Sequence, residues 1–78
     1  MITTRHEYRG YLFTIDYTAE EPAYSVEFAD FPAIITSGST LAEAFANACE
    51  ALDLQIESLQ KLGKRIPKPK HTLVIEST

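Results

Sequence analysis

Carboxylates are the side chains of this sequence that could do the most chemistry, because clustered acids hold catalytic metal ions. A two-metal nuclease needs three or four carboxylates that converge on two divalent ions about 4 Å apart. Only Asp16 and Glu43 are plausible members of such a site. Two carboxylates do not complete it, so we predict that the chain is not an enzyme. A residual nuclease hypothesis would require magnesium binding that Asp16→Asn abolishes.

The histidines, the cysteine and the glycines give weaker signals. His6 and His71 lie far apart with no Cys or acid at ligand spacing, so we predict no metal site and surface histidines. Cys49 lies beside an apolar stripe without a paired histidine, which predicts a partly buried structural thiol. The glycines are isolated from one another and form no phosphate-binding loop. We therefore predict no cofactor.

Acidic residues dominate the middle of the chain, whose net charge is -4. No lysine or arginine occurs between residues 10 and 60. The acids in this range are Asp16, Glu20, Glu21, Glu27, Asp30, Glu43, Glu50, Asp53 and Glu57. Such a surface disfavours DNA or RNA and suits a basic partner.

Three of these acids recur every seven residues, which places them along one line of a helix. They are Glu43, Glu50 and Glu57, with Asn47 and Asp53 close by. The line is either a solvated helix face or a surface complementary to a basic partner.

Basic residues gather near the C-terminal end of the predicted helix. They are Lys61, Lys64, Arg65, Lys68 and Lys70. Cations at this end interact favourably with the helix dipole, and contact with nucleic acid is the alternative interpretation.

The pattern of apolar residues predicts strands at about 8–18, 23–28, 34–37 and 72–76, and one helix at about 41–62. The order β-β-β-α-β is typical of an α+β fold with two layers, in which one long helix covers a mostly antiparallel sheet. A right-handed crossover would make the last two strands parallel. The whole chain, 1–78, then forms a single domain.

The long helix has clear signals at both ends. Thr40 and Glu43 form a T-x-x-E capping box, and Gly63 stands where a left-handed C-cap is favourable. The predicted apolar face of this helix of about six turns consists of Leu41, Phe45, Ala48, Leu52, Ile56, Leu59 and Leu62.

Length and composition favour a small cytoplasmic oligomer. A chain of 78 residues buries only about 60% of its unfolded surface, so its core is marginal and a homodimer or higher oligomer is expected. No apolar run approaches the roughly 20 residues of a membrane span, and the N-terminus has no apolar signal core. A single cysteine forms no internal disulfide, as expected in a reducing cytosol.

One combination of residues stands out by the order of its elements. It consists of Tyr24, Val26, Phe28, Asp30, Pro32, Gly38, Thr40, Leu41, Glu43 and Ala44, followed by Ile66, Pro67, Lys68 and Pro69. In this order the chain resembles the HicB-like family of antitoxins from prokaryotic toxin-antitoxin systems, over roughly residues 8–76. Ala29, Ala33, Ile34 and Ser39 depart from the family pattern.

This resemblance implies a partial ribonuclease-H-like fold and a small, basic, mRNA-cleaving toxin of the HicA type as partner. Typical members continue into a DNA-binding segment, so for a chain that stops at Thr78 we do not expect DNA binding. The candidate partner contacts are Glu20, Glu21, Asp30, Phe31, Glu43, Glu50 and Glu57. Phe31 either packs over the helix start or is offered to a partner.

Two hypotheses of function follow. The first is an antitoxin, or a binding domain derived from one, that sequesters a basic toxin without chemistry of its own. The second is a stand-alone structural or regulatory module that associates with itself and has no toxin partner. A short basic open reading frame beside the gene would favour the first.

Overall fold

The structure, a computed structural model, describes residues 2–19 and 23–70. Four strands precede one helix in these ranges. The elements are β1 (Ile2–Tyr8), β2 (Tyr11–Thr18), β3 (Ala23–Phe28), β4 (Ile35–Gly38) and α1 (Leu41–Lys61). The strands form an antiparallel sheet in the order β1-β2-β3-β4. The predicted α+β class with one long helix on the sheet is confirmed.

The N-terminal hairpin was not predicted. The predicted first strand, 8–18, combined the end of β1 with all of β2, and the polar residues before Tyr8 gave no apolar alternation. Arg9 and Gly10 form the two-residue turn, with φ of 54° and 85°. Positive φ at both central positions matches the twist of a β-hairpin, and glycine at the second position is typical of such turns.

The other boundaries lie within one residue of the prediction. β3 occupies the predicted range, β4 is shifted by one residue from 34–37, and α1 ends at Lys61, with Leu62 as its C-cap. The predicted strand 72–76 lies outside the described residues.

The core lies between α1 and one face of the sheet. Alternation along β2 and β3 brings Phe13, Ile15 and Val26 to this face, where they are at most 2% exposed. Along α1, the buried side chains are Ala44, Ala48, Leu52 and Ile56. This alternation is the period-two pattern from which β2 and β3 were predicted.

The predicted apolar face of α1 was partly wrong. Leu41, Phe45 and Leu62 are exposed, and Ala44, which was not assigned to that face, is completely buried. Ala44 lies where the start of α1 closely approaches β4, and the larger Leu41 and Phe45 beside it are exposed, whereas Leu52 and Ile56 are buried further along the helix. Phe45 remains 38% exposed, and its ring contacts Phe13 and His6 with centroid distances of 5.5 and 5.3 Å.

Gly38 explains the close approach of β4 to the start of α1. A Cβ added at this glycine would lie 2.4 Å from the Ala44 backbone nitrogen and 2.8 Å from its Cα. No real Cβ tolerates such distances from backbone atoms, so only glycine fits here. Asn47 fixes the same junction, because its side-chain amide donates to the Ser37 carbonyl at 2.8 Å.

Residues 64–70 fold back against the end of the sheet near the β1–β2 turn. The Tyr11 hydroxyl donates to the Pro67 carbonyl. Pro69 lies beside Gly10, and the Lys70 amide donates to an Asp30 carboxylate oxygen at 3.1 Å. The two prolines of the sequence motif thus belong to an extended segment that packs on the sheet.

Candidate partner-binding surface

Three of the predicted contact residues form an outward line of glutamates on α1. Glu43, Glu50 and Glu57 are all exposed on α1. Seven residues of helix separate neighbours by about 10.5 Å along the axis. This spacing gives a row of negative charges on the side of α1 away from the sheet.

Glu43 has a second role at the start of α1. The Thr40 hydroxyl accepts from the Glu43 amide at 3.0 Å, as the capping box predicts. The Glu43 carboxylate reaches back to the amide and hydroxyl of Ser39, at 3.1 and 3.3 Å. In a standard capping box this carboxylate accepts from the N-cap amide, here Thr40, so the contact is shifted by one residue to Ser39. These bonds leave Glu43 less available to a partner than the other two glutamates.

Glu57 and Glu50 differ in their neighbours. The Glu57 carboxylate lies 3.0 Å from the Lys61 ammonium group, an exposed pair one helical turn apart. Such a pair contributes only about 0.3–0.5 kcal/mol, so a partner can replace it at little cost. Glu50 has no hydrogen-bond or ion-pair partner within 2–19 and 23–70. Its carboxylate is the most available charge of the row.

Asp53 and Asn47 do not belong to this outward surface. Asp53 accepts from the Tyr8 hydroxyl and pairs with the Arg9 guanidinium, both at 2.9 Å, so it connects α1 to the β1–β2 turn. The hydrogen bond to Asp53 raises the pKa of Tyr8 above its ordinary value of 10.0, and desolvation and the Asp53 charge act in the same direction. Asn47, as described above, binds β4.

The remaining predicted contacts do not belong to α1. Glu20 and Glu21 lie outside the described residues. Asp30 is half-buried and bonded to the Lys70 amide. Phe31 is only 4% exposed, and its ring packs against Tyr11 at a centroid distance of 4.9 Å. Phe31 is thus a core residue, and the alternative that offers it to a partner was wrong for this chain.

The comparison with protein families decides the affiliation. A family model described as "HicB_like antitoxin of bacterial toxin-antitoxin system" matches residues 11–77. The chain belongs to the HicB-like antitoxin family. No curated protein and no solved structure matched it in the corresponding searches.

Residues of the HicB-like motif occupy positions that need their side chains. The Tyr24 ring packs against the Tyr17 ring in a tilted arrangement with centroids 4.7 Å apart, and Val26 and Phe28 are buried. Gly38, Thr40 and Ala44 build the junction between β4 and α1. Pro32 is exposed in the turn before β4. Most of the motif therefore supports the fold, and among these residues only Pro32 and the N-cap Thr40 are exposed.

Asp16 and Glu43 do not converge in this HicB-like chain. Asp16 lies on the sheet face opposite the core and accepts from the Thr3 hydroxyl at 2.6 Å. Glu43 lies on α1, which covers the other face, so the sheet separates the two carboxylates. Within the described ranges, no group of three or more His, Cys, Asp and Glu side chains could hold a metal ion.

His6 and Cys49 have structural surroundings. His6 was predicted at the surface, but it is half-buried between the rings of Phe13 and Phe45, and its Nε2 lies 2.8 Å from the Thr4 hydroxyl. Cys49 is half-buried, as predicted, and burial raises the pKa of its thiol above the ordinary value of 9.0, with the Asp53 charge as a second cause. A raised pKa lowers the fraction of reactive thiolate at neutral pH.

Four basic residues follow the end of α1 in the described chain. Lys64, Arg65, Lys68 and Lys70 are exposed. Gly63 has φ of 67°, and the Lys64 amide donates to the Leu59 carbonyl at 2.9 Å, which closes the predicted left-handed cap. The charges of the described helix and its extension thus change from negative to positive along the chain.

Exposed apolar residues are the feature that the sequence did not identify. Leu54 on α1 is 57% exposed, Leu62 at its C-cap is 65% exposed, and Ile35 on the open face of the sheet is 89% exposed. Their spacing resembles that of core residues, so only the register of α1 against the sheet reveals them. No helix within the described residues is long and apolar enough to cross a membrane.

Proposed function

We propose that this HicB-like chain neutralises a small basic mRNA-cleaving toxin of the HicA type by sequestration. In this proposal, the outward acidic face of α1 binds the toxin and covers its active surface, with no chemistry by the chain itself. A cytoplasmic location and assembly into a homodimer or higher oligomer belong to the same proposal. The family match supports the antitoxin role.

The observation that carries the binding surface is the combination of exposure and predominantly negative charge. Glu50 and Glu57 are exposed on the outward side of α1, no cation occurs in residues 11–60, and the following Lys61 pairs with Glu57. A negative field attracts a basic protein and accelerates its association, more than it increases affinity. Glu43 would add to the field while it caps the helix.

A pull-down tests this proposal with a matched control. The tagged chain is incubated with lysate of its source organism, and bound proteins are identified by mass spectrometry. We expect one small basic protein, released by raised salt because exposed charges are screened. Glu50→Lys combined with Glu57→Lys should abolish its recovery.

The control is Glu27→Lys combined with Glu7→Lys. Both glutamates are exposed on the sheet face opposite α1 and give the same change in net charge. Equal loss with both pairs would show that only net charge matters and would contradict the proposed face. Absence of any basic protein from the wild-type sample would contradict the toxin partner itself.

A further inference from the structure

The C-terminal half of α1 has an exposed apolar patch that its own sheet does not cover. Leu54 and Leu62 lie eight residues apart on the outward side, with the exposed Ser58 midway between them. Together with Glu57 and Lys61 they border a shallow concavity of about 370 Å³. We define these five residues as the helix patch.

Charge along α1 and the residues that follow it is ordered. Glu50 lies before the helix patch, Glu57 and Lys61 lie within it, and the exposed Lys64 and Arg65 come after the end of α1. A second helix with the same order would place like charges together if it ran parallel. If it ran antiparallel, the acidic part of each copy would face the basic part of the other, and complementary charges at an interface fix its orientation.

In an antiparallel pair, helix geometry brings the exposed leucines of the two copies together and places opposite charges close to each other. If a two-fold axis passes next to Ser58, residue 54 of one copy lies opposite residue 62 of the other, so each exposed leucine meets a leucine. Lys61 of one copy then lies within two residues of Glu57 of the second copy, about 3 Å along the axis. Ser58 is small, which permits close contact of the two helices at the crossing point.

We propose that the helix patch binds a second copy of this chain in an antiparallel pair of α1 helices. A two-fold interface uses the same surface on both copies, and in the antiparallel arrangement the exposed leucines and the opposite charges of the helix patch meet their counterparts. The inference deepens the proposed self-association by naming its surface, and it does not depend on a toxin. Because Glu57 belongs to both proposed surfaces, the second copy and the toxin would compete for it, whereas Glu50 lies outside the helix patch. Each Glu57–Lys61 pair within a helix would exchange partners across the interface.

Sedimentation velocity over a concentration series tests this arrangement. We expect a reversible dimer of the wild-type chain and at least a tenfold weaker dimer, about 1.4 kcal/mol, for Leu54→Glu. Ile35→Glu is the matched control, because it also replaces an exposed aliphatic residue by an acid, but on the sheet. Circular dichroism verifies that both variants fold.

A charge exchange makes the test specific for the antiparallel pairing. Glu57→Lys and Lys61→Glu should each weaken the dimer, because like charges then face each other across the interface. An equimolar mixture of the two variants should form a dimer again. A monomeric wild-type chain would contradict self-association altogether. A dimer that Ile35→Glu dissociates and Leu54→Glu does not would place the interface on the sheet and overturn the helix patch.

Discussion

The two sides of α1 contrast in what their residues contribute. The side toward the sheet has two alanines and two aliphatic residues that are at most 5% exposed, namely Ala44, Ala48, Leu52 and Ile56. The outward side has glutamates, a lysine and two exposed leucines. Burial of the first set stabilises the fold, whereas the second set contributes little to stability and is available for recognition. In this chain, one helix thus serves both the fold and the proposed binding.

Leu52→Ala, on the side of α1 toward the sheet, should have the largest effect on stability. Leu52 is completely buried between α1 and the sheet, so the substitution removes apolar contacts and leaves a cavity. We expect a loss of about 3 kcal/mol of unfolding free energy, measured by urea denaturation. Leu54→Ala, on the exposed side two residues away, is the control and should change stability by less than about 0.5 kcal/mol. Equal losses would contradict the register of α1.

Gly38→Ala should have the next largest effect. The added methyl group would lie 2.4 Å from a backbone atom of Ala44, so β4 and α1 must separate. We expect a loss of about 2–3 kcal/mol, measured by thermal unfolding. Gly63→Ala is the control, because its new Cβ meets open space and introduces only the strain of a positive φ. Comparison of the two variants therefore separates a steric clash from backbone strain. A stable Gly38→Ala variant would mean that β4 does not approach the helix so closely.

Phe45→Ala should cost about 1.5 kcal/mol, roughly half of what a fully buried phenylalanine costs. The ring is partly exposed and lies at the margin between the two sides, against His6 and Phe13. Urea denaturation would measure the loss of unfolding free energy for this variant and for Leu52→Ala under the same conditions. A loss larger than that of Leu52→Ala would restore the register predicted from the sequence.

Thr40→Ala should have the smallest effect of the four. It removes the hydroxyl that accepts from the Glu43 amide, at a cost of about 1 kcal/mol. Thr40→Ser retains an acceptor and should recover most of this loss. If both variants unfold at the same temperature, the hydroxyl does not cap α1.

The sequence predicted elements wherever local chemistry is decisive. The capping box of Thr40 and Glu43, the left-handed Gly63 and the alternation of β2 and β3 all have local causes. β1 was missed because an edge strand with one solvated face has few apolar residues, and its only strong signal is the turn at Arg9-Gly10.

The candidate site was harder to predict, because exposure depends on how α1 is rotated against the sheet. Charge spacing placed Glu50 and Glu57 on the outward side, but nothing local separates Asp53 from them. Asp53 binds the β1–β2 turn, which requires knowledge of a hairpin more than 40 residues away in the chain. Phe31 likewise is buried against Tyr11, which begins β2. The sequence of the loop that contains Phe31 does not indicate this contact.

Binding of the recovered basic partner to charge-reversed variants tests the central claim most directly. Titration calorimetry would compare Glu50→Lys with Glu27→Lys, two exposed acids on opposite layers of the fold. We predict that Glu50→Lys weakens binding at least tenfold, about 1.4 kcal/mol, while Glu27→Lys changes it less than about twofold. Equal affinities of the two variants, with both folded by circular dichroism, would contradict a partner-binding role for the outward face of α1.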